Sequence, residues 1–331
     1  MKPFKAFVVD KLVDNQIELK VTELTINDLP EGDVIIEVQY SSVNYKDGLA
    51  SISNGGIVRN YPFVPGIDLA GVVLVSNDSR YKIGDEVLVT GYDLGVNHYG
   101  GYSEIARVPG DWIVPIPDGL TMKETMAIGT AGFTAALSIH RLEENGLSRD
   151  KGTVLVTGAS GGVGSSAIGM LKKLGYTITA STRKTAEHDY LKQIGASEII
   201  SLDELSNPKK RPLLKQRWAA CIDPVAGEYL PTILSSIQYG GSVALSGLTA
   251  GNNFTSTVFP FILRGVNLLG IDSVFCPMET RLAIWNRLAK EMKPDNLLES
   301  IAHEITLEQL PQGLQQILNG EMKGRTIVKL S

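Results

Sequence analysis

The stretch from Thr153 to Lys184, TVLVTGASGGVGSSAIGMLKKLGYTITASTRK, constrains this chain more than any other. It opens on an apolar, β-rich run, Val154-Leu155-Val156, and breaks into the turn Gly158-Ala-Ser-Gly161-Gly-Val-Gly164. A helix-forming segment runs from Ser165 to Leu174, Gly175 breaks it, and a second β-rich run covers Tyr176 to Ser181. Strand, glycine-rich turn, helix and strand within about 30 residues make a βαβ unit, the size of half a dinucleotide-binding sheet. The glycines stand where the chain must turn sharply, admit a ligand closely, and pack helix on strand. The positive end of the helix faces the turn, which favours a pyrophosphate there.

The spacing of Gly158, Gly161 and Gly164 is GxxGxxG, with Ser160 in place of the middle glycine of the usual GxGxxG. Such a turn can also join a strand to a helix and bind nothing. The end of the second strand decides more. An acidic residue there would hold a ribose 2′-hydroxyl, but this chain reads Ser181-Thr182-Arg183-Lys184. Two cations and two hydroxyls suit a 2′-phosphate and leave no carboxylate to repel it. The pattern predicts NADP(H) rather than NAD(H).

At 331 residues the chain exceeds one ordinary core, so two domains are expected. Its net charge of −5 lacks the basic excess of a nucleic-acid binder. The apolar stretch in MKPFKAFVVDK is too short for a signal peptide, and no run approaches the ~18 apolar residues of a membrane span. The cytoplasm is the expected location. Cys221 and Cys276 have no CxxC partner, so a four-cysteine zinc site is impossible, and both read as small buried hydrophobes.

Residues 1–125 read as short strands broken by turn signals: Lys5 to Asp10, Asp33 to Tyr40, Gly66 to Val75 and Asp85 to Thr90. They predict a β-rich, partly closed barrel. Helix begins near Met122, with Thr121 as N-cap and Glu124 at capping-box spacing. From there to about residue 270, helices and strands alternate: helices over His188–Ile194 and Tyr229–Ile237, strands over Glu198–Ser201, Ala219–Asp223, Ser242–Ser246 and Asn267–Gly270. That alternation predicts a doubly wound parallel sheet. A helix over Met278–Lys293, a second over Leu307–Asn319 and a strand over Arg325–Lys329 complete the reading.

The motifs NYKDGLA (44–50), PGIDLAG (65–71), GDEVLVTG (84–91), GTAGFTA (129–135), TGASGGVG (157–164) and GRTIVKL (324–330) follow one another as in medium-chain dehydrogenases/reductases. Over essentially its full length the chain resembles the zinc-free branch of that family, the quinone oxidoreductases and acrylyl-CoA reductases. The resemblance implies a GroES-like catalytic domain over 1–125, a Rossmann NADP-binding domain over 126–272 and a return to the catalytic domain over 273–331. It also implies a homodimer whose Rossmann sheets meet edge to edge near residues 266–272.

Zinc members of the family carry a cysteine ligand in the segment matching NYKD and a GHE motif where this chain has Gly66-Ile67-Asp68. Here the cysteine is absent, Ile67 stands in the histidine position, and His98, His140, His188 and His303 are scattered. No metal is expected. Without a Lewis acid, a conjugated acceptor needs the least help. Hydride adds to the β-carbon of an enone, enoyl thioester or quinone, and charge moves to the carbonyl oxygen.

Candidates for holding the acceptor and stabilising that charge are Asn44, Tyr45, Lys46 and Asp47. The tyrosine hydroxyl either donates to the oxyanion or packs against the cofactor, and Lys46 with Asp47 reads as an internal ion pair. Asp68 is expected to hold local structure. The resemblance further implies that Ser160, Gly161, Gly162 and Val163 meet the pyrophosphate and that Thr182, Arg183 and Lys184 meet the 2′-phosphate. It adds Tyr45, Thr130, Leu248, Ile262, Ser273 and Asn319 as contacts around the ribose and nicotinamide. An NADPH-dependent acrylyl-CoA-type reductase leads. NADPH:quinone oxidoreductase is the alternative, and a cofactor-binding protein with little catalysis stays open. A CoA substrate would need cations, for which Arg59 and Arg264 are candidates.

Overall fold

The computed structural model describes residues 2–209, 211–295 and 297–330. In chain order it begins β1 (Phe4–Lys11), β2 (Ile17–Leu24), β3 (Val34–Ser42), α1 (Tyr45–Ala50), β4 (Asp68–Ser76), β5 (Glu86–Thr90), β6 (Ile105–Val108), β7 (Val114–Pro115) and α2 (Met122–Glu144). Alternation follows: β8 (Val154–Val156), α3 (Gly162–Lys173), β9 (Ile178–Ser181), α4 (His188–Ile194), β10 (Glu198–Ile200), β11 (Trp218–Asp223), α5 (Leu230–Ser236), β12 (Ile237–Leu245), α6 (Phe259–Arg264) and β13 (Asn267–Gly270). The tail holds α7 (Met278–Leu288), α8 (Leu297–Ser300), β14 (Ala302–Thr306), α9 (Leu310–Leu318) and β15 (Arg325–Lys329). No helix among the described residues is long and apolar enough to cross a membrane.

Two compact units result. The first comprises residues 2–130, 274–282 and 297–330, and the second 131–273 and 283–295. The sequence reading carried 273–331 back to the first domain, but residues 283–295 pack in the second unit. There Trp285 stacks on Phe133, with centroids 6.0 Å apart, and Arg287 pairs with Glu143 at 2.9 Å.

In the first unit a mixed sheet runs β14-β15-β3-β4-β5-β7, with β6 also paired to β3. The period-two pattern of β3 places Val34, Ile36 and Val38 inside, against Leu69 and Val73 of β4 and Val87 and Val89 of β5. A second cluster joins Phe7 and Val9 of β1 to Tyr102, to Leu310 and Leu314 of α9, and to Val328 of β15. The amphipathic α9 thus covers the strand that follows it.

In the second unit the order β10-β9-β8-β11-β12-β13 is parallel throughout. Chain order reverses between β8 and β11, the switch point where open α/β sheets bind ligands at the carboxyl ends of their strands. β8 and β11 are buried along their whole length, as the apolar runs require.

Most expected elements form within a residue or two. Thr121 and Glu124 make the foreseen box: Thr121 N–H donates to Glu124 Oε2 at 2.9 Å, and Glu124 N–H to Thr121 Oγ1 at 3.2 Å. The helix expected to run to Lys293 stops at Leu288, where the chain turns and Lys290 N–H and Met292 N–H both donate to Arg287 O, at 3.1 and 2.9 Å. Seven elements lack a sequence expectation: β2, α1, β6, β7, α6, α8 and β14.

Arg281 shows how the first unit holds residues 274–282. Its buried guanidinium donates to Thr90 O at 2.8 Å, Thr90 Oγ1 at 3.1 Å and Val274 O at 3.0 Å, and lies 4.6 Å from the Tyr92 ring centre. Tyr92 in turn stacks on Trp112. Arg281→Met, which strands these carbonyls, is expected to lower unfolding free energy by about 3 kcal/mol in chemical denaturation. An unchanged midpoint would mean the carbonyls find other donors.

Candidate functional site

The first unit brings the Asn44–Asp47 segment onto a buried polar network. Asn44 precedes α1 in extended conformation, so α1 starts at Tyr45. Asp47 reaches back to cap that start, accepting Asn44 N–H at 2.8 Å, and its other oxygen accepts Ile67 N–H at 3.0 Å. The carboxylate therefore ties the beginning of α1 to the residue before β4. The expected ion pair with Lys46 does not form. Asp47 is fully buried and turned to these amides, while Lys46 is half-buried.

Asp68, also fully buried, is the centre of the network. Its Oδ2 accepts Ser42 Oγ at 2.5 Å, Asn44 Nδ2 at 2.8 Å and Thr130 N–H at 2.9 Å, and its Oδ1 accepts Thr130 Oγ1 at 2.5 Å. Arg325 supplies the opposite charge, with Nη2 3.8 Å from Asp68 Oδ2. Its remaining hydrogens go to Ser42 Oγ, Asn44 Oδ1, Val43 O and Ala127 O, at 2.8 to 3.2 Å. Gly129 makes room for this packing. It breaks α2 with φ of 52°, and a Cβ there would fall 2.5 Å from Arg325 Nη2 and 2.6 Å from Asp68 Oδ2.

Asn44 has both ends of its amide occupied, so it positions α1. Thr130 gives its amide and its hydroxyl to Asp68. Tyr45, by contrast, is 44% exposed. Asn319, at the C-cap of α9, is exposed and donates to Glu321 at 3.3 Å. Among the described residues no group of three His, Cys, Asp or Glu side chains is arranged to hold a metal ion.

The second unit holds the other candidates. Gly158 leaves β8 with φ of 54°, and a Cβ on Gly164 would lie 2.4 Å from Gly158 O. The turn is thus tight enough to require glycine at both ends. Helix α3 opens at Gly162 after Gly161, with no side chain capping it. Its first N–H groups stay available, the donor set an anion needs. A pyrophosphate fits this cradle.

Ala159 N–H donates to Ser181 O at 3.2 Å, so the structure brings the turn and the end of β9 together. Thr182 is buried and its hydroxyl accepts Lys184 N–H at 3.1 Å, while Arg183 is exposed and Lys184 half-buried. Leu248 is exposed in the loop after β12, also at this edge of the sheet. Ile262 lies on the exposed face of α6, and Ser273 accepts Thr134 Oγ1 at 2.8 Å. Arg264 is not a free cation: it donates to Ser235 O and Leu214 O at 2.8 and 2.6 Å. Arg59 is exposed.

Sequence reasoning missed Arg325 and Asp223. The first had a signal, since a cation opening an apolar strand and an acid inside another (Asp68) are natural partners. Asp223 ends β11 and holds the turn beneath the glycine loop. Its Oδ1 accepts Thr157 Oγ1 at 2.6 Å, Val225 N–H at 2.9 Å and Ala226 N–H at 3.1 Å.

Burial and the neighbouring Asp68 push the Asp47 carboxyl up to about 7, against its amide donors and the Tyr102 hydroxyl. Burial likewise raises Tyr102 and lowers Arg325. In the unfolded chain Asp47 would release its proton near the ordinary value of about 4. Between that value and about 7 the folded state holds the proton and the unfolded state does not. Stability is therefore expected to fall as pH rises through this window and to level off above it. Denaturant titrations of wild type and Asp47→Asn from acid to neutral pH check this. The variant should lose that component of the slope, whatever it costs at any one pH; identical slopes would remove the buried titration.

Comparison with known proteins places these features. The Alcohol dehydrogenase GroES-like domain model matches residues 30–118, and the Zinc-binding dehydrogenase model matches 162–290. A Bacillus subtilis protein named as a quinone oxidoreductase, YhfP, is 54% identical over 99% of each chain. Its crystal structure with NAD bound superposes with a TM-score of 0.97 over the whole of both chains. The acrylyl-CoA reductase AcuI of Ruegeria pomeroyi is 48% identical, again over 99% of each chain. The yhdH oxidoreductase of Salmonella enterica, crystallised with NADP, is 45% identical and superposes with a TM-score of 0.96 over 99% of this chain and 100% of that one. With this likeness along its entire length, and neither the cysteine nor the histidine of the zinc members at the matching positions, the chain belongs to the medium-chain dehydrogenase/reductase family, in its zinc-free branch.

Proposed function

We propose that this protein is an NADPH-dependent oxidoreductase that reduces an activated C=C bond, with an acrylyl-CoA-type enoyl thioester as acceptor. The observation that carries the chemistry is the division within Asn44–Asp47. Asn44 and Asp47 are buried and committed to structure, while Tyr45 presents its phenol from the first turn of α1. Full-length likeness to AcuI supports the thioester.

The uncapped N–H groups of α3, with Ser160, hold the pyrophosphate, and Thr182, Arg183 and Lys184 hold the 2′-phosphate. NADPH, when bound, supplies the hydride that adds to the β-carbon. Tyr45 donates its hydroxyl hydrogen bond to the thioester oxygen as negative charge gathers there, and the α-carbon then takes a proton from water, which leaves as hydroxide. Asn44 and Asp47 fix Tyr45 by fixing α1. Lys46, beside the tyrosine, adds positive potential to the same charge.

Quinone reduction is the second reading, supported by the 54% identity to YhfP. A quinone oxygen would receive the same Tyr45 hydrogen bond. We also infer a homodimer. β13 ends the parallel sheet with its outer edge unpaired among the described strands, and exposed Phe259, Ile262 and Leu263 lie just before it. An edge strand beside apolar surface calls for cover, and a second copy of the same edge provides it. The two cysteines are free and buried, as suits the cytoplasmic location we assign.

Steady-state loss of NADPH absorbance with acryloyl-CoA, and separately with a small benzoquinone, tests the reading. Tyr45→Phe is expected to lower kcat with acryloyl-CoA by about 100-fold while leaving the NADPH dissociation constant within a factor of about two. Arg183→Ala should weaken NADPH roughly tenfold and NADH hardly at all. Turnover of the quinone alone, indifferent to Tyr45→Phe, would make the second reading correct.

A further inference from the structure

The β1–β2 hairpin of the first unit leaves one edge open. Its residues pair antiparallel, from Phe4 with Leu24 to Lys11 with Ile17, and β2 pairs with no other strand among those described. Bonds on the far side of β1 fix which way each backbone group of β2 faces. Phe7 N–H donates to Tyr102 O and Val9 N–H to Phe63 O, both at 2.8 Å, so these odd-numbered residues of β1 turn away from β2. Leu12 N–H, of the even set, donates to Gln16 O at 2.9 Å where the hairpin closes. The two sets alternate along an antiparallel pair. Val8 and Asp10 therefore bond to their register partners Lys20 and Glu18, and Ile17, Leu19 and Val21 turn their N–H and C=O groups toward the open edge.

The side chains follow the same alternation. Ile17, Leu19 and Val21 pack, half-buried, on the cluster that holds Phe7, Val9 and Leu310, while Glu18 and Lys20 stand on the other face and pair at 2.5 Å. An open edge over an apolar face is a template for another strand. A lone lysine on such an edge discourages pairing, but Glu18, two residues before it, supplies its counterpart on a second copy of the strand. The charges also select the register. Outward groups must meet outward groups, so a two-fold antiparallel pairing is centred on one residue. Centring on Glu18 or Lys20 sets like charges opposite each other, and centring on Val21 sets Leu19 against Glu23. Centring on Leu19 sets Glu18 of each copy against Lys20 of the other, in the close position, and Ile17 against Val21.

We propose that β2 is an interface for a second copy of this chain, the two strands pairing antiparallel about Leu19 so that both hairpins form one continuous sheet. Ile17, Leu19 and Val21 of the two copies then join in a single apolar row, with crossed Glu18–Lys20 pairs on the opposite face. The same pairing lays the tip of each hairpin, where Leu12 and Val13 are exposed, beside the end of the other copy's β2. This edge belongs to the first unit and β13 to the second, so a chain that uses both associates beyond a dimer. The inference is independent of acceptor and cofactor.

Light scattering after gel filtration, over a series of protein concentrations, tests this with Lys20→Glu and with the double variant Glu18→Lys/Lys20→Glu. Lys20→Glu sets carboxylate against carboxylate at both symmetric positions and is expected to weaken one association step by at least about tenfold. The double variant exchanges the two signs and should restore wild-type association. Melting temperatures confirm that each variant is folded. The register is read by oxidising mixtures of singly substituted proteins. Glu18→Cys with Lys20→Cys should yield a linked dimer, because the opposed Cα atoms lie about 4.5 Å apart, whereas Glu18→Cys with Thr22→Cys should not. Equal mass of wild type and Lys20→Glu at every concentration would overturn the interface. A double variant that stays dissociated, or preferential linking in the Thr22→Cys mixture, would overturn the pairing about Leu19.

Discussion

The first unit depends on one buried charge pair, Arg325 with Asp68. Both are out of water, and burying ions costs several kcal/mol each unless their hydrogen-bonding capacity is met. At 3.8 Å the direct contact is a loose one, so Coulomb attraction alone does not hold it. What offsets the burial is saturation. Ser42, Asn44 and Thr130 give hydrogens to the acid, and Val43, Ala127, Ser42 and Asn44 take them from the guanidinium. Those partners come from β3, the start of α1, the break in α2 and the last strand. Removing either charge would strand the other and loosen every segment at once.

The polar groups of the two units differ in one physical respect. In the first unit the polar groups of the Asn44–Asp47 segment are saturated by the protein, with Tyr45 and Lys46 left toward solvent. In the second, the N–H groups opening α3 have no cap. A saturated group fixes geometry and has nothing to offer a ligand, whereas an unsaturated buried group is completed by one. This separates residues that position from residues that bind. It assigns Asn44 and Asp47 to positioning although their side chains would be capable of chemistry.

The fold was legible where sequence period and punctuation are strong. The βαβ unit, the helix over His188–Ile194 and the strands over Asn267–Gly270 and Arg325–Lys329 form as read, because glycine breaks and apolar runs leave few alternatives. β2 was not read although Ile17, Leu19 and Val21 alternate. Its residues are only half-buried and the charges between them weaken the pattern. In the first unit's network Asn44, Asp47, Asp68 and Thr130 were singled out in the sequence and Arg325 was not. Asn44, Tyr45 and Asp47 share a motif, but Arg325 joins them across the whole chain by β15 pairing with β3. The Lys46–Asp47 pair failed for a related reason. Adjacent residues on a helix diverge, and at the helix start the backbone amides compete for the acid and win.

The cofactor preference follows from exposure as much as from charge. Thr182 is buried with its hydroxyl accepting Lys184 N–H, while Arg183 is exposed and on the proposed reading would meet a 2′-phosphate from solvent. Exposed ion pairs are screened and give up side-chain freedom to form, which keeps their contribution near 1 kcal/mol unless the geometry is bidentate. With no carboxylate at this strand end, nothing rejects a free 2′-hydroxyl. Selection for NADPH on this reading is a favourable difference of about one or two powers of ten, not an exclusion. Relatives 53% and 45% identical to this chain have been crystallised with NAD and with NADP, respectively. The fixed part of the site, the glycine cradle and the strand ends beside it, is indifferent to the choice.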